Sequence, residues 1–538
     1  MSNKEVYLKP NVVIEPLFDK WYAWSHLISP ATAAMNIVGR HLTIMESYLL
    51  APDVHAGAVA DPKMKGGPFM DVKRGKLNEV MALRDKTIDR KRIAIEFAKA
   101  IKALERMLVT EAKGFGLEPL YEKVPELLKG YVELFYDRNN NPNFRFFESL
   151  LYDSEYYDKQ SQTVALWVTN NDQRPFVLST PRLEDDETLH LDLSFDDPRI
   201  DQLSKMKSVP QSFVRIKKSL AIADEKESLF ETFFTPDVPP AYERYKGEKI
   251  RMRYFGHACI LIETKDVSIL ADPLISYYGY HSDIEHFTYA DLPDVIDYAL
   301  ITHNHQDHIL FETLLSLRHK IKNIVVPRTR GGRLEDPDLK LMFNRMGFHN
   351  IIEVDDMESV YFSDVTITGI PFTGEHSDLN ILSKSCYLVQ IGGFKLLFLA
   401  DSRIVEPALY KHIHSQTGGV DVLFLGMECD GAPLTWLYGP LFSKKIPRDQ
   451  DNSRRLAGSD CAKGMMLVDI FNPKEVYVYA MGQEPWLEYI SSIQYTDESN
   501  PIIQSNKLVS LCRQRGIIAE RLFGEKEIVY ERQPQLAL

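Results

Sequence analysis

Near the start of the chain, apolar residues recur at helical spacing in two places. Met35, Val38, Leu42, Met45 and Leu49 predict a helix over roughly 31–50, and Ile93, Phe97, Ile101, Leu104 and Leu108 predict a longer one over roughly 86–112. The polar cluster "YDRNNNPN" (136–143) marks a turn, and Leu189, Leu191 and Leu193 alternate as in a half-buried strand. "FFTPDVPPAYERYKGEK" (233–249), with three prolines and mixed charge, interrupts the pattern. Beyond it come short β-rich runs, among them "IRMRYFGHACILIET", "VSILADPLI", "YALITHN", "KNIVVP", "VDVLFLGM" and "EVYVYAM". Helical segments such as "FETLLSLRHKI" lie between some of them. That order predicts a layered α/β domain with helices outside the sheets. The expected division is a mixed α/β N-terminal domain over 1–235, a linker over 236–249 and the layered domain over 250–538.

Length and composition agree with this picture. A chain of 538 residues exceeds what one ordinary core serves, and 44% hydrophobic with 26% charged residues is a globular composition. The net charge of −13 argues against a nucleic-acid partner, because phosphate binding needs a surplus of Lys and Arg. The five cysteines (259, 386, 429, 461 and 512) form no CxxC pair and read as reduced thiols of a cytoplasmic protein. The opening "MSNKEVYLKPNVVIEPLF" has no apolar h-region, so no signal peptide is expected. No apolar run is long enough for a membrane span.

The chemistry concentrates in "ITHNHQDHIL" (301–310), where His303, His305, Asp307 and His308 directly follow the buried run "YALIT". The C-terminal ends of strands are where α/β folds place their sites. Period-two geometry turns His303 and His305 to one side, so they can share an ion. Asp307 and His308 can serve a second ion roughly 3.5–4 Å away. Further strand ends add Asp272 in "ILADP" and Asp401 in "FLADS", while "PFTGEHSD" offers both Glu375 and His376. The last histidines, His412 and His414, fall in "EPALYKHIHSQTGG", which reads as a surface helix end, and none follows from 415 to 538. A shell poor in imidazole and rich in carboxylate suits a harder ion than zinc, and iron sites with open positions suit O2. The reading leans towards a diiron oxygenase. The alternative is a dinuclear zinc hydrolase acting on a thioester, lactone or phosphodiester.

Other residues carry weaker signals. His257 in "FGHACI" reads as a packed core histidine or a pocket residue. Glu428 in "GMECDGAP" is a candidate for contact with a substrate amine, balanced against a buried, hydrogen-bonded carboxylate, and Cys429 beside it reads as packing. Trp436, Tyr438 and Phe442 read as core, or as a wall for an aromatic substrate. Arg454 and Arg455 read as solvated charges, or as a fork for a phosphate.

The HxHxDH pattern resembles that of the metallo-β-lactamase superfamily. That likeness implies an αβ/βα sandwich, with Asp272 supporting the ligand loop and Asp401 bridging two metals. Over nearly its whole length the chain resembles the diiron β-hydroxylases of chloramphenicol and other nonribosomal peptide pathways. The likeness is carried by "VIEPLFDKWYAWSHLISPATAA", "VHAGAV", "YDSEYYD", "LITHNHQDHILFETLLSLRH", "GEHSDL", "LYGPLF", "SRRLAGS" and "VYVYAMGQEPW". It implies an O2-dependent monooxygenase that hydroxylates the β-carbon of an amino acid held as a thioester on a carrier domain. It implies two irons, one held by His303, His305, Glu375 and Asp401 and the other by Asp307, His308 and Asp401, with His376 a neighbour. It further implies an external electron donor, and an N-terminal domain that dimerises and docks the carrier.

Overall fold

A computed structural model of the protein describes residues 4–73, 75–277 and 283–531. Two seven-stranded sheets form the part beyond the proline-rich segment. The first runs, in spatial order, Ile351–Val354, Ile321–Pro327, Ile296–Leu300, Ser268–Ala271, Ile260–Glu263, Ile250–Tyr254 and Lys526–Tyr530. The second runs Ser359–Phe362, Val365–Ile370, Cys386–Ile391, Phe394–Phe398, Val422–Gly426, Glu475–Tyr479 and Ile518–Arg521. Alternation along the strands builds the layers. Ile260 and Ile262 enter a core shared with Phe398, Phe424 and Tyr479 of the other sheet, while Leu261 points to the opposite face. Helices Pro407–Thr417, Cys461–Phe471 and Asn500–Gln514 cover the outside of the second sheet through Tyr410, Val468 and Leu508. This is the expected sandwich with helices on its outer faces.

The N-terminal part is mixed α/β, as expected. Strands Val12–Phe18 and Gln162–Val168 pair antiparallel at the centre of a four-stranded sheet, with Leu189–Leu191 at its edge. The first predicted helix is present as Pro30–Asn36, a widened turn Ile37–Leu42 and Thr43–Leu50. The second differs from expectation. It begins at Arg92 and runs to Glu111, after a separate helix Leu77–Arg90. The break falls at Lys91, whose buried ammonium is drawn to Asp19 at 2.7 Å and Asp158 at 2.5 Å. At the predicted turn the Asp137 carboxylate accepts from the amides of Asn139 and Asn141 and closes a hairpin.

The two parts are packed as one body. Helix Phe311–Leu317, which leaves the metal motif, has all seven residues buried. Its Leu314 shares a core with Ile14 of strand Val12–Phe18. Its Glu312 takes both guanidinium ends of Arg174, at 3.1 and 2.7 Å, and Arg174 also donates to Glu15 at 2.9 Å. Arg182 donates to the same Glu15 at 3.0 Å, so a buried ion network ties the N-terminal sheet to the sandwich.

Candidate metal centre

Every candidate ligand stands at a strand end on one rim of the sandwich. The loop 302–309 leaves Ile296–Leu300, Asp272 follows Ser268–Ala271, Asp401 follows Phe394–Phe398, and Glu375 lies beyond Val365–Ile370. Three groups of ligand atoms converge there: His303, His305 and Glu375; His303, His308 and Asp401; and His257, Asp307 and His308. His305 Nδ1 lies 2.9 Å from Glu375 Oε1, and His308 Nε2 and His303 Nε2 lie 3.3 and 3.9 Å from Asp401 Oδ2.

The donor set fits two metal ions. His303 Nε2, His308 Nε2, Glu375 Oε2 and Asp401 Oδ1 are buried without a hydrogen-bond partner among the described residues, although nearly all buried polar atoms in proteins find one. The nitrogens on the far side of the same rings are engaged. His308 Nδ1 faces Asp272 Oδ2 at 2.8 Å, His305 Nε2 faces the Tyr438 hydroxyl at 3.1 Å, and His303 Nδ1 faces Thr302 Oγ1 at 3.1 Å. Such outer partners fix the tautomer that leaves a lone pair for a metal. Asp272 also accepts from the Thr302 amide at 2.8 Å and the Thr302 hydroxyl at 2.6 Å, which anchors the start of the loop. Burial, together with the neighbouring imidazoles, pushes His303 well below the usual imidazole range and keeps it neutral.

The rim is held in uncommon backbone geometry. His257, Asp272, Glu375 and Ala400 have φ of 51°, 37°, 59° and 45°, and Ser377 and Asp378 have 56° and 58°. Each such residue costs about 1–3 kcal/mol, and strain of this kind persists only where the surroundings fix it. At the Glu375 loop the fixing group is Arg454, whose Nε and Nη2 both donate to the Ser377 carbonyl, at 2.9 and 2.8 Å. Two of the guanidinium nitrogens of Arg454 are thus spent on the loop.

The remaining residues divide between the site and its surroundings. His257 is buried, yet it belongs to the site rather than to the core. Its Nδ1 accepts from the Gly482 amide at 3.2 Å, so the neutral ring carries its proton on Nε2, 3.4 Å from Asp307 Oδ2. The strand-end turn "FGHACI" was its only signal in the sequence. His376 belongs to none of the three groups. Its Nε2 lies 3.2 Å from Glu375 Oε2, and its Nδ1 points to Tyr438. Tyr438 lies beside the ligands, whereas Trp436 and Glu428 line a cavity of about 770 Å³ that opens the site to solvent, and Phe442 does not. Glu428 accepts from the Gly431 amide at 2.6 Å and from the Tyr495 hydroxyl at 3.3 Å. Burial pushes its carboxyl up to about 7. His412 is exposed and His414 packs on Phe471, both on helix Pro407–Thr417 and outside the cavity.

The model of the diiron non-heme β-hydroxylase N-terminal domain matches residues 7–238, and that of the β-lactamase superfamily domain matches 268–432. The 4-amino-L-phenylalanyl-[CmlP-peptidyl-carrier-protein] 3-hydroxylase of Streptomyces venezuelae is 38% identical over 523 residues, 96% of this chain and 98% of the relative. The chain belongs to the diiron β-hydroxylase family. The crystal structure of CmlA, a diiron β-hydroxylase from Streptomyces venezuelae, superposes with a TM-score of 0.91 at 36% identity, covering 98% of this chain and all of that one. Family membership makes the protein an enzyme with a pair of irons as its cofactor, and decides against the zinc hydrolase alternative. No helix among the described residues is long and apolar enough to cross a membrane.

Proposed function

We propose that this enzyme hydroxylates the β-carbon of an aminoacyl group held as a thioester on the carrier domain of a nonribosomal peptide synthetase. The observation that carries the reading is the set of unpartnered donor atoms converging at the floor of a cavity about 770 Å³ in volume. In this reading His303, His305, Glu375 and Asp401 would hold one iron, and Asp307, His308 and Asp401 the other. The iron pair, when bound, supplies the reduction of O2 and the insertion of one oxygen atom into a C–H bond. The second atom leaves as water, and the two electrons required come from an external donor.

The protein's own groups prepare that chemistry. Asp272 and Tyr438 fix the orientation of His308 and His305. His257 packs beside Asp307, its Nε2 3.4 Å from Asp307 Oδ2. Glu428, whose carboxyl burial pushes up to about 7, is favoured in its charged form beside a substrate ammonium and so anchors the amino group. A thioester removes the carboxylate charge of a free amino acid, and tethering makes the reaction effectively intramolecular. Residues 1–235 supply the carrier-docking surface and a homodimer contact. Exposed Leu77, Met81 and Ile88 along one stripe of helix Leu77–Arg90 support the latter. Free, mostly buried cysteines support a cytoplasmic setting.

The test is turnover under isotopically labelled O2 with a chemical reductant, comparing aminoacyl-loaded carriers with the free amino acids at matched concentration. One labelled oxygen atom should enter a carrier-bound aminoacyl group and little or none the free acid. Equal rates on the two forms would refute the delivery model.

A further inference from the structure

The cavity above the metal centre is lined by charges of both signs. Its carboxylates, Asp307, Glu375, Asp401 and Glu428, all belong to the metal centre or its wall. The cations that line it, Lys63, Lys65, Arg448 and Arg455, come from the rim, where Lys63 and Arg448 are exposed. Two of the four are already engaged. Lys65 pairs with Glu488, and Arg455 donates to the carbonyls of Asp430 and Gly431. Lys63 and Arg448 have no ion-pair partner among the described residues.

The rim is fixed in place and not a loose edge. The Trp436 indole N–H donates to the Gly66 carbonyl and clips the N-terminal loop onto the cavity wall. Gly66 has φ of 75°, and a Cβ there would lie 3.1 Å from that indole nitrogen, so glycine is required at the clip. Lys63 and Lys65, from the N-terminal part, thereby line one cavity with Arg448 and Arg455 of the sandwich. Between rim and floor the wall is apolar, through Phe69, Trp436, Met481 and Ile493.

We propose that this rim is the subsite for the phosphodiester of the carrier's pantetheine arm, with Lys63 and Arg448 as its two principal contacts. The inference rests on the carrier-tethered reading above and assigns residues to it. A phosphodiester against Lys63 and Arg448, a neutral chain against Phe69 and Trp436 and an ammonium at Glu428 would each meet lining of matching character. Lysine supplies a mobile point charge and arginine a planar fork, both suited to phosphate oxygens. Because one cation comes from each part of the protein, the arm is gripped only when both parts are in place.

The experiment is a ligand-observed NMR titration of the iron-loaded enzyme with two probes. One is the methyl ester of 4′-phosphopantetheine, which reproduces the carrier's phosphodiester; the other is pantetheine. At low salt the phosphodiester should bind about fivefold to tenfold more tightly, a preference that salt weakens. In the doubly substituted Lys63→Ala/Arg448→Ala protein the preference should vanish while pantetheine binds as before. The single substitution Lys445→Ala, outside the cavity lining, should leave the preference intact. Equal binding of both probes to the unaltered enzyme would overturn the subsite, as would a preference that survives the double substitution. If neither probe binds, the carrier reading itself fails and the subsite falls with it.

Discussion

Replacing Asp272 tests the support of the metal centre without touching a proposed ligand. Its buried carboxylate accepts at Oδ1 from the Thr302 amide and at Oδ2 from the Thr302 hydroxyl and His308 Nδ1. Asp272→Ala strands two buried N–H donors at about 1–3 kcal/mol each, so a loss of about 2–6 kcal/mol in stability is expected. Asp272→Asn is the sharper change. Its amide oxygen can still accept from the Thr302 amide, and its NH2 can donate to the Thr302 hydroxyl, so the fold is retained within about 1 kcal/mol. The same NH2, however, faces His308 Nδ1 and favours the tautomer with a lone pair there and a proton on Nε2. That tautomer cannot offer Nε2 to a metal, and loss of a supporting group typically weakens metal binding about 10- to 100-fold. The assay is iron per chain after equilibrium dialysis against a graded chelator, with urea denaturation followed in parallel. An Asp272→Asn enzyme that keeps both irons at unaltered affinity would refute the tautomer argument.

Glu375→Ala should lose or weaken one iron and abolish hydroxylation, whereas His376→Ala should keep two irons and appreciable activity; metal analysis of the two proteins separates the ligand from its neighbour. Arg174→Ala leaves Glu312 buried without its cation, while Glu15 keeps Arg182, and should cost about 3–5 kcal/mol, read from the urea midpoint. Glu148 is buried, and burial with the nearby Asp338 pushes its carboxyl from the ordinary 4.5 up to about 8. The native state thus keeps a proton that the unfolded state releases, so this contribution falls as pH rises from about 4.5 to about 8 and is level above that. Glu148→Gln should flatten that slope and gain at most about 5 kcal/mol over the parent at pH 8; unchanged pH curves would show that Glu148 ionises freely in the native protein.

The sandwich and the position of the metal loop were legible because they depend on local signals. Period-two strands ending in "LITH", "LADP" and "LADS" place histidines and carboxylates at strand ends wherever those strands sit. What local pattern could not carry is partnership across the chain. His257 becomes a site residue only because the Gly482 amide fixes its tautomer from a distant strand end. Arg454 reads as a surface charge until the Ser377 carbonyl is found against it. The structure groups Glu375, and not the equally buried His376, with His303 and His305, and adjacent residues carry no periodic signal for such a difference. Lys91 ends a helix that its apolar periodicity would continue, because Asp19 and Asp158 draw its ammonium inward.

The sheet that carries the metal loop is closed on one side by Lys526–Tyr530, which pairs residue for residue with Ile250–Tyr254. During synthesis, the histidines of the loop leave the ribosome well before that closing strand is made. Until it arrives, Ile250–Tyr254 presents an unpaired edge, the kind of surface that recruits foreign strands. A nascent chain therefore owns all its ligands while lacking the finished sheet that aims them.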